Sequence, residues 1–371
     1  MNRRRTALAA AAAGTVAGVV GLGVLAMPAG AGPAPSLPPT SPEQLVQSVL
    51  TAKPTAMNGT VQVVNKLGLP ALPGLPQAAD GTTEARVWTD GQRRGRLSLP
   101  QNNGEKVYVD DGSTLWQWDS TTRTVTRSPQ HAEPAKPKDK HEGVLPNATD
   151  PASAAQQMLA TVEKTSTVSV DGTDWVAGRP VYDLVLTPKP TERTLLREVR
   201  VAADSETRIP VRLSVFANGS SDPALQVGFT QLTIGPQDPK LFRFTPPPGA
   251  TVRNSDEQPQ GDHEKAGQSS RPTVVGDGWD SVLIGRLPAQ AQPGTSRPVT
   301  SRPGTSNDRH GRSSEDPMAL VQRFGTPTSG PWGSGWLFST KVGTALVTSD
   351  GRVAVGAVPA QVLTEAIGQA K

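Results

Sequence analysis

From Thr60 onward the apolar residues of this chain recur at every second position in short runs, each closed by Gly, Pro, Asn or Asp. Residues 60–64, 83–89, 94–99, 106–110, 113–118 and 123–127 form a first series, and 167–170, 181–186, 196–201, 211–216, 225–229 and 231–234 a second. A period of two sends alternate side chains to opposite faces of a strand, and short runs between turn residues predict an antiparallel meander. Two stretches switch to helical spacing. Ser41, Pro42 and Gln44 form a capping box ahead of Leu45, Val46, Val49 and Leu50. Asp150 and Pro151 open a second helix whose buried face is Ala155, Met158, Leu159 and Val162. The expected fold class is α+β, one domain built on a large curved antiparallel sheet of about 10–12 strands covered by helices.

Composition matters for where the fold stops. Gly (37) and Pro (36) are over-represented in the 371 residues, and the excess collects between the patterned runs. The chain therefore divides into residues 1–31, a linker at 32–40, the main domain at 41–253, and a linker at 254–273. A strand island at 274–287, a Pro/Ser/Arg-rich stretch at 288–315 that cannot repay its ordering entropy, and a helix-hairpin-helix tail at 316–371 complete it. Met318, Leu320, Val321 and Phe324 mark the first tail helix, Ser349-Asp350-Gly351 its hairpin, and Val362, Leu363, Ala366 and Ile367 the last helix. The tail is small for a core of its own. It is expected to return to the main sheet and extend it.

Several chemistries are excluded by residue counts. There is no cysteine, so disulfides, thiolate metal sites, thiol catalysis and acylation at a lipobox are all ruled out. The four histidines, His131, His141, His263 and His310, all sit in polar stretches between the patterned runs, a poor place to hold an imidazole in catalytic geometry. No glycine-rich phosphate loop is present. A net charge of +4 over this length does not mark a nucleic-acid binder. The expectation is a protein that is not an enzyme, with no catalytic, cofactor or metal residues, and a monomer.

Residues 1–31 read as an export signal. Arg3, Arg4 and Arg5 precede an uncharged apolar run at 7–27, and Ala29-Gly30-Ala31 offers a small-residue cleavage site. An uncleaved signal anchor is the alternative, because the run is long enough to span a bilayer. Arg4-Arg5 leaves both the general and the twin-arginine export routes open. Either way the working part lies outside the cytoplasm.

Two local motifs carry a family resemblance. Asp111-Gly112-Ser113-Thr114-Leu115-Trp116-Gln117-Trp118-Asp119 resembles a D-G-x-x-L-W-x-Y-D/N hairpin. The run Asp238-Pro239-Lys240-Leu241-Phe242-Arg243-Phe244-Thr245-Pro246-Pro247-Pro248-Gly249-Ala250 resembles a D-x-x-L-F-x-F-x-P-P-x-G ending. Both, in this order behind an export signal, resemble the LolA-like and RseB-like superfamily of lipoprotein-sorting carriers, over residues 41–253, and most closely its actinobacterial branch. The resemblance implies a half-open barrel whose apolar concave face is covered by helices. It also implies a lipid or acylated lipoprotein as ligand or, for a regulator of the RseB/MucB type, an anti-sigma factor or other envelope protein as partner. One family feature is missing: the stretch at 88–97 has no R-P-x-x-F-x-W pattern, so the arginine latch of the Gram-negative carriers does not carry over.

Such a site needs burial rather than reaction. The candidates for the inward face are Val61, Val63, Val87, Leu97, Leu99, Val107, Val109, Leu115, Leu184, Leu186, Val211, Leu213, Val215, Val227 and Phe229, with Trp116 and Trp118, and Trp88 beside them, at the mouth. Leu45, Val49 and Leu50 on the first helix and Met158, Leu159 and Val162 on the second form the candidate lid. Arg93, Arg94 and Arg96 are candidates for an anionic rim. Plain core under two helices would show the same pattern, and a one-residue change of register would exchange the faces.

Overall fold

The computed structural model describes residues 33–68, 80–101, 103–129, 162–255, 272–287 and 317–369. The chain forms two compact units, Met1–Glu192 with Leu196–Gly261, and Arg193–Leu195 with Asp262–Lys371. Strands dominate both, so the balance is mostly β rather than the α+β expected from sequence. The second predicted helix, with Met158 and Leu159, lies outside the described residues except for Val162, which is half-buried.

Among the described residues the first unit holds helix α1 (Pro42–Thr51) and strands β1 (Ala56–Asn65), β2 (Gly81–Asp90), β3 (Gly95–Gln101), β4 (Gly104–Asp110), β5 (Thr114–Asp119) and β6 (Thr124–Pro129). It continues with β7 (Ser166–Val176), β8 (Arg179–Pro188), β9 (Leu196–Asp204), β10 (Pro210–Ala217), β11 (Pro223–Ile234) and β12 (Thr251–Asn254). These twelve strands make one sheet in the order β12-β6-β5-β4-β3-β2-β1-β11-β10-β9-β8-β7. Two meanders are thus joined where β1 pairs with β11, and the end strands β12 and β7 do not pair to close a barrel. All neighbours are antiparallel except β12, which runs parallel to β6. The runs at 225–229 and 231–234 are one strand: Thr60 faces Gln231 while Val61 faces Phe229, so a bulge at Thr230 absorbs the break in alternation.

Helix α1 starts as its sequence requires. Ser41 Oγ accepts from the Gln44 amide, and the Gln44 side chain accepts from the Ser41 amide, both at 3.3 Å. Leu45 is fully buried against Tyr182, Leu184 and Ala203, with Val46 and Val49 beside it. The helix therefore covers the β7–β9 end of one face of the sheet.

The turn between β9 and β10 is held by charge. Asp204 is fully buried; its carboxylate accepts from Arg179 Nε at 2.5 Å and Nη2 at 3.0 Å, and from the Thr207 amide and hydroxyl at 2.7 and 2.8 Å. Burial pushes this carboxyl up, but the bonds from Arg179 and Thr207 outweigh it and hold it below its ordinary value of 3.8. A depressed carboxyl contributes stability that is complete above that ordinary value and is lost as pH falls through the folded-state value. Asp204→Ala, which leaves Arg179 only the exposed Glu206 as partner and strands the Thr207 amide, should cost about 1.5–3 kcal/mol in denaturant titration at neutral pH. The gap between variant and parent should narrow as the titration is repeated at progressively more acidic pH.

The second unit has its own sheet, of β13 (Thr273–Val275), β14 (Val282–Arg286), β15 (Thr326–Gly330), β16 (Gly333–Ser339), β17 (Thr344–Thr348) and β18 (Arg352–Gly356), in the order β13-β14-β18-β17-β16-β15. Helices α2 (Pro317–Phe324) and α3 (Ala360–Gln369) accompany it. This corrects the expectation that the tail extends the main sheet. The physical reason is the strand island: β14 pairs with β18, so Val282 and Ile284 join Leu346, Ala354 and the α3 residues Val362, Leu363, Ala366 and Ile367 in one closed core. The tail's strands gain two partners and need no edge from elsewhere.

Candidate functional site

Residues directly opposite each other in a sheet share a face, so the register sorts the candidates. One cross-strand row runs Val170, Leu184, Val201, Leu213, Val227, Val63. A parallel row runs Val168, Leu186, Val199, Val215, Leu225. On the same face Val61 lies between Phe229 and Ala85, and Val87 is followed by Leu97 and Tyr108, with Leu99 and Leu115 in alternation with them. This first face is apolar across most of the sheet. Val211 does not continue the row of Leu213 and Val215: it falls at the irregularity between Pro210 and Arg212 and is buried with Val176, Val181 and Ala202, a cluster against which Phe229 packs.

Burial varies along the first face. Beneath α1 Tyr182 and Leu184 are buried, and Val168, Val170, Leu186 and Val201 pack on the same cluster. Further along, Val63, Ala85, Val215 and Leu225 are buried, whereas Val61, Val87, Leu97, Leu99, Tyr108, Leu115, Leu213, Val227 and Phe229 are half-buried. Gly59 shapes this stretch. A Cβ there would stand 2.8 Å from the Phe229 ring and 2.3 Å from the Gln231 carbonyl oxygen, so the ring lies where a larger residue would put its side chain.

Four candidates lie on the opposite face. Val107 pairs with Trp118 and Ser98, and Val109 with Trp116 and Arg96, so Val107, Val109, Trp116 and Trp118 do not join the row of Leu97 and Leu99. The cause is a hairpin in which Gln101 pairs with Gly104, leaving two residues between them. With that spacing an odd-numbered residue of β3 faces an even-numbered one of β4, and valines in step with Leu97 and Leu99 fall on the other side. Trp88 shares the face and the cross-strand row of Trp116 but stands separated from it by β3 and β4.

What covers this second face is the other motif. Asp111 caps its hairpin by accepting from the amides of Ser113 (2.9 Å) and Thr114 (2.8 Å), and it also accepts the Trp116 indole N–H at 2.9 Å. Gly112 takes φ +94°, which the Asp-Gly turn demands. Burial pushes the Asp111 carboxyl up, and the indole, hydroxyl and amide donors pull it below its ordinary range. The indole so fixed meets the Phe244 ring at 5.6 Å between centroids. Phe242, two residues earlier, is 1% exposed. Arg94 lies over the Phe242 ring at 5.4 Å, and Arg96 donates to the Leu241 carbonyl. Arg94 also pairs with Asp90 at 2.7 Å, so two of the three rim candidates hold a turn and a covering segment instead. Beyond Phe244, Arg123 donates to the Pro248 carbonyl at 2.8 Å, Gly249 turns at φ +73°, and the chain enters β12 beside β6.

At the β8–β10 end of the second face the buried charges are paired. Arg212 reaches past the small Ala202 to Asp174 at 2.8 Å and Asp183 at 3.4 Å. Burial pushes the Asp183 carboxyl up, partly offset by Arg212. Among the described residues no group of three or more His, Cys, Asp or Glu side chains could hold a metal ion, and no helix is long and apolar enough to cross a membrane.

Sequence reasoning missed Tyr108, Tyr182, Val199, Val201 and Leu225 on the first face. The i, i+2 spacing of Val199 and Val201 could have shown that pair. Tyr108 sits between two buried valines of the other face, and only the hairpin length reveals its side.

No protein-family model and no curated protein matches this chain. Among solved structures it is similar to a chain of the Pseudomonas aeruginosa MucA/MucB complex, at 15% identity over 88% of this chain and 96% of that one, with a TM-score of 0.42. MucB alone gives 14% identity over 87% and 94%, with a TM-score of 0.38. A LolA superfamily protein from Nitrosomonas europaea gives 10% identity over 56% and 99%, with a TM-score of 0.23.

The two faces should respond differently to substitution. Val109→Asp buries an unpaired carboxylate and should abolish the cooperative unfolding transition, whereas Leu97→Asp should leave the far-ultraviolet circular dichroism unchanged. Phe242→Ala should cost about 3–5 kcal/mol in chemical denaturation.

Proposed function

We propose that this chain is an exported, non-catalytic binding protein that holds the acyl chains of a lipid or lipoprotein against the first face of its twelve-stranded sheet. In this reading the sheet is a half-open barrel, and α1 is part of its lid. The observation that carries it is a face with an aliphatic cross-strand row from Val170 to Val63 and a further apolar pair at Val87 and Leu97, on which Leu184 beneath α1 and Val63 are buried while Leu213, Val227, Val87 and Leu97 stay half-buried. A surface of that kind offers what an acyl chain requires. At about 0.8 kcal/mol per methylene a sixteen-carbon chain needs roughly 13 kcal/mol of burial before it leaves a bilayer. Native mass spectrometry of the secreted protein should show co-purifying lipid, recoverable by solvent extraction. Leu97→Asp with Leu213→Gln should lower uptake from vesicles at least tenfold while the melting temperature stays within a few degrees. A protein that emerges without lipid and takes up none from vesicles would sink the reading.

A second reading, a regulator that binds an anti-sigma factor or other envelope protein, is favoured by one feature of the second unit. Val274 and Leu283 face each other across β13 and β14 and are 60% and 44% exposed. Val274→Ser with Leu283→Ser should then abolish capture of an envelope protein and leave lipid uptake intact. Uptake that falls with capture would count against it.

A further inference from the structure

Residues 33–38, Pro-Ala-Pro-Ser-Leu-Pro, have no regular secondary structure, yet they are held at three points. The Pro33 carbonyl accepts from Trp175 Nε1 at 3.1 Å, the Pro35 carbonyl from Thr173 Oγ1 at 2.7 Å, and the Pro38 carbonyl from the Tyr182 hydroxyl at 2.8 Å. Leu37 packs into the cluster of Leu45, Tyr182 and Leu184. The linker expected at 32–40 is therefore a docked segment over its described part.

The chemistry of the contact is specific. Proline has no amide hydrogen and a fixed φ, so this segment cannot lengthen the sheet and presents an extended, pre-ordered row of acceptors. The sheet answers with side-chain donors alone. Thr173 and Tyr182 are register partners, and Trp175 follows on the same face of β7. Gly172, at φ +80°, marks the bulge that sets Thr173 opposite Tyr182. Arg208 stacks on the far part of the site, its guanidinium 4.9 Å from the Tyr182 ring centre. Two aromatic N–H and O–H donors spaced along a proline-rich backbone are a general means of reading such a segment. Trp175 remains 41% exposed, so the site is open to solvent on one side.

We propose that Trp175, Thr173 and Tyr182 form a binding site for proline-rich extended peptide segments, and that residues 33–38 are its resident ligand, bound in cis. Ser41, the cap of α1, follows three residues later, so occupancy of the site fixes where α1 begins its path over the first face. Any consequence for ligand entry rests on the acyl-chain reading; the peptide site does not. A segment tethered this closely acts at high effective concentration, so the free peptide binds more weakly than the tethered one.

The chain has no cysteine, so a nitroxide on the exposed Ala34→Cys reports the segment alone. In the secreted protein its spectrum should be immobilised, and Trp175→Phe with Tyr182→Phe, which keeps the rings and removes the donors, should shorten its correlation time several-fold. A label that is already free, or equally immobile in both proteins, would overturn the proposal whatever the result of lipid uptake. In a full chain with residues 33–38 replaced by Gly and Ser, a synthetic peptide of residues 33–38 at millimolar concentration should shift the Trp175 indole N–H resonance saturably. A Gly-Ser peptide of equal length should not, and equal shifts from both peptides, or none from either, would contradict a peptide site.

Discussion

The contact between the Trp116 indole and the Phe244 ring decides which side of the large sheet is available. Asp111 accepts the indole N–H and so fixes the ring, and the segment from Asp238 to Gly249 can then lie across β3–β6 with Phe242 beneath it. The consequence is an asymmetry. Among the described residues the second face is covered over β3–β6 by a segment whose ends are tied by Asp238 and Arg123, while the first is covered by α1 at its β7–β9 end. Val107, Val109 and Val125, at 3%, 0% and 0% exposure, are core; Leu97 and Leu213 are half-buried surface. A sheet of this size with one face covered over β3–β6 by an aromatic segment and the other apolar and partly covered has a preferred side for an apolar ligand.

Without cysteines, stability falls to packing and to a few well-made polar contacts. Asp204 with Arg179 ties one hairpin to its neighbour, and the capping box of Ser41 sets the start of α1. In the second unit Thr344 donates to the Val358 carbonyl at 2.8 Å, and Arg352 reaches the carbonyls of Trp332 and Ile367. Each places a donor where a strand gives way to a turn or helix, the point at which backbone groups lose their ladder partners.

Much of this was legible in the sequence. The period-two runs fall within strands to within a residue at each start, Ser41-Pro42-x-Gln44 opens a helix, and Ser349-Asp350-Gly351 turns between β17 and β18. The two motifs announced the elements that meet at Trp116 and Phe244, although nothing in either says that they touch. Faces were harder. Alternation gives each strand two sides but does not say which side matches the neighbour's, and the short β3–β4 hairpin inverted the choice for Val107, Val109, Trp116 and Trp118. The bulge at Thr230 likewise hid one long strand as two. The parallel strand β12 had no local signal, because Thr251-Val252-Arg253-Asn254 is nearly all exposed and its partner lies more than a hundred residues earlier. The second sheet was missed for a related reason: an island of two short strands and a tail of four are each too small to close a core, and only their pairing supplies one.

The claim that the first face binds and the second does not is tested most directly by photocrosslinking with a sixteen-carbon fatty acid carrying a diazirine near its methyl end, followed by peptide mass spectrometry. Adducts should map to first-face residues such as Leu97, Leu213 and Val227. Labelling confined to the second face or the second unit, or scattered without saturation, would contradict the account.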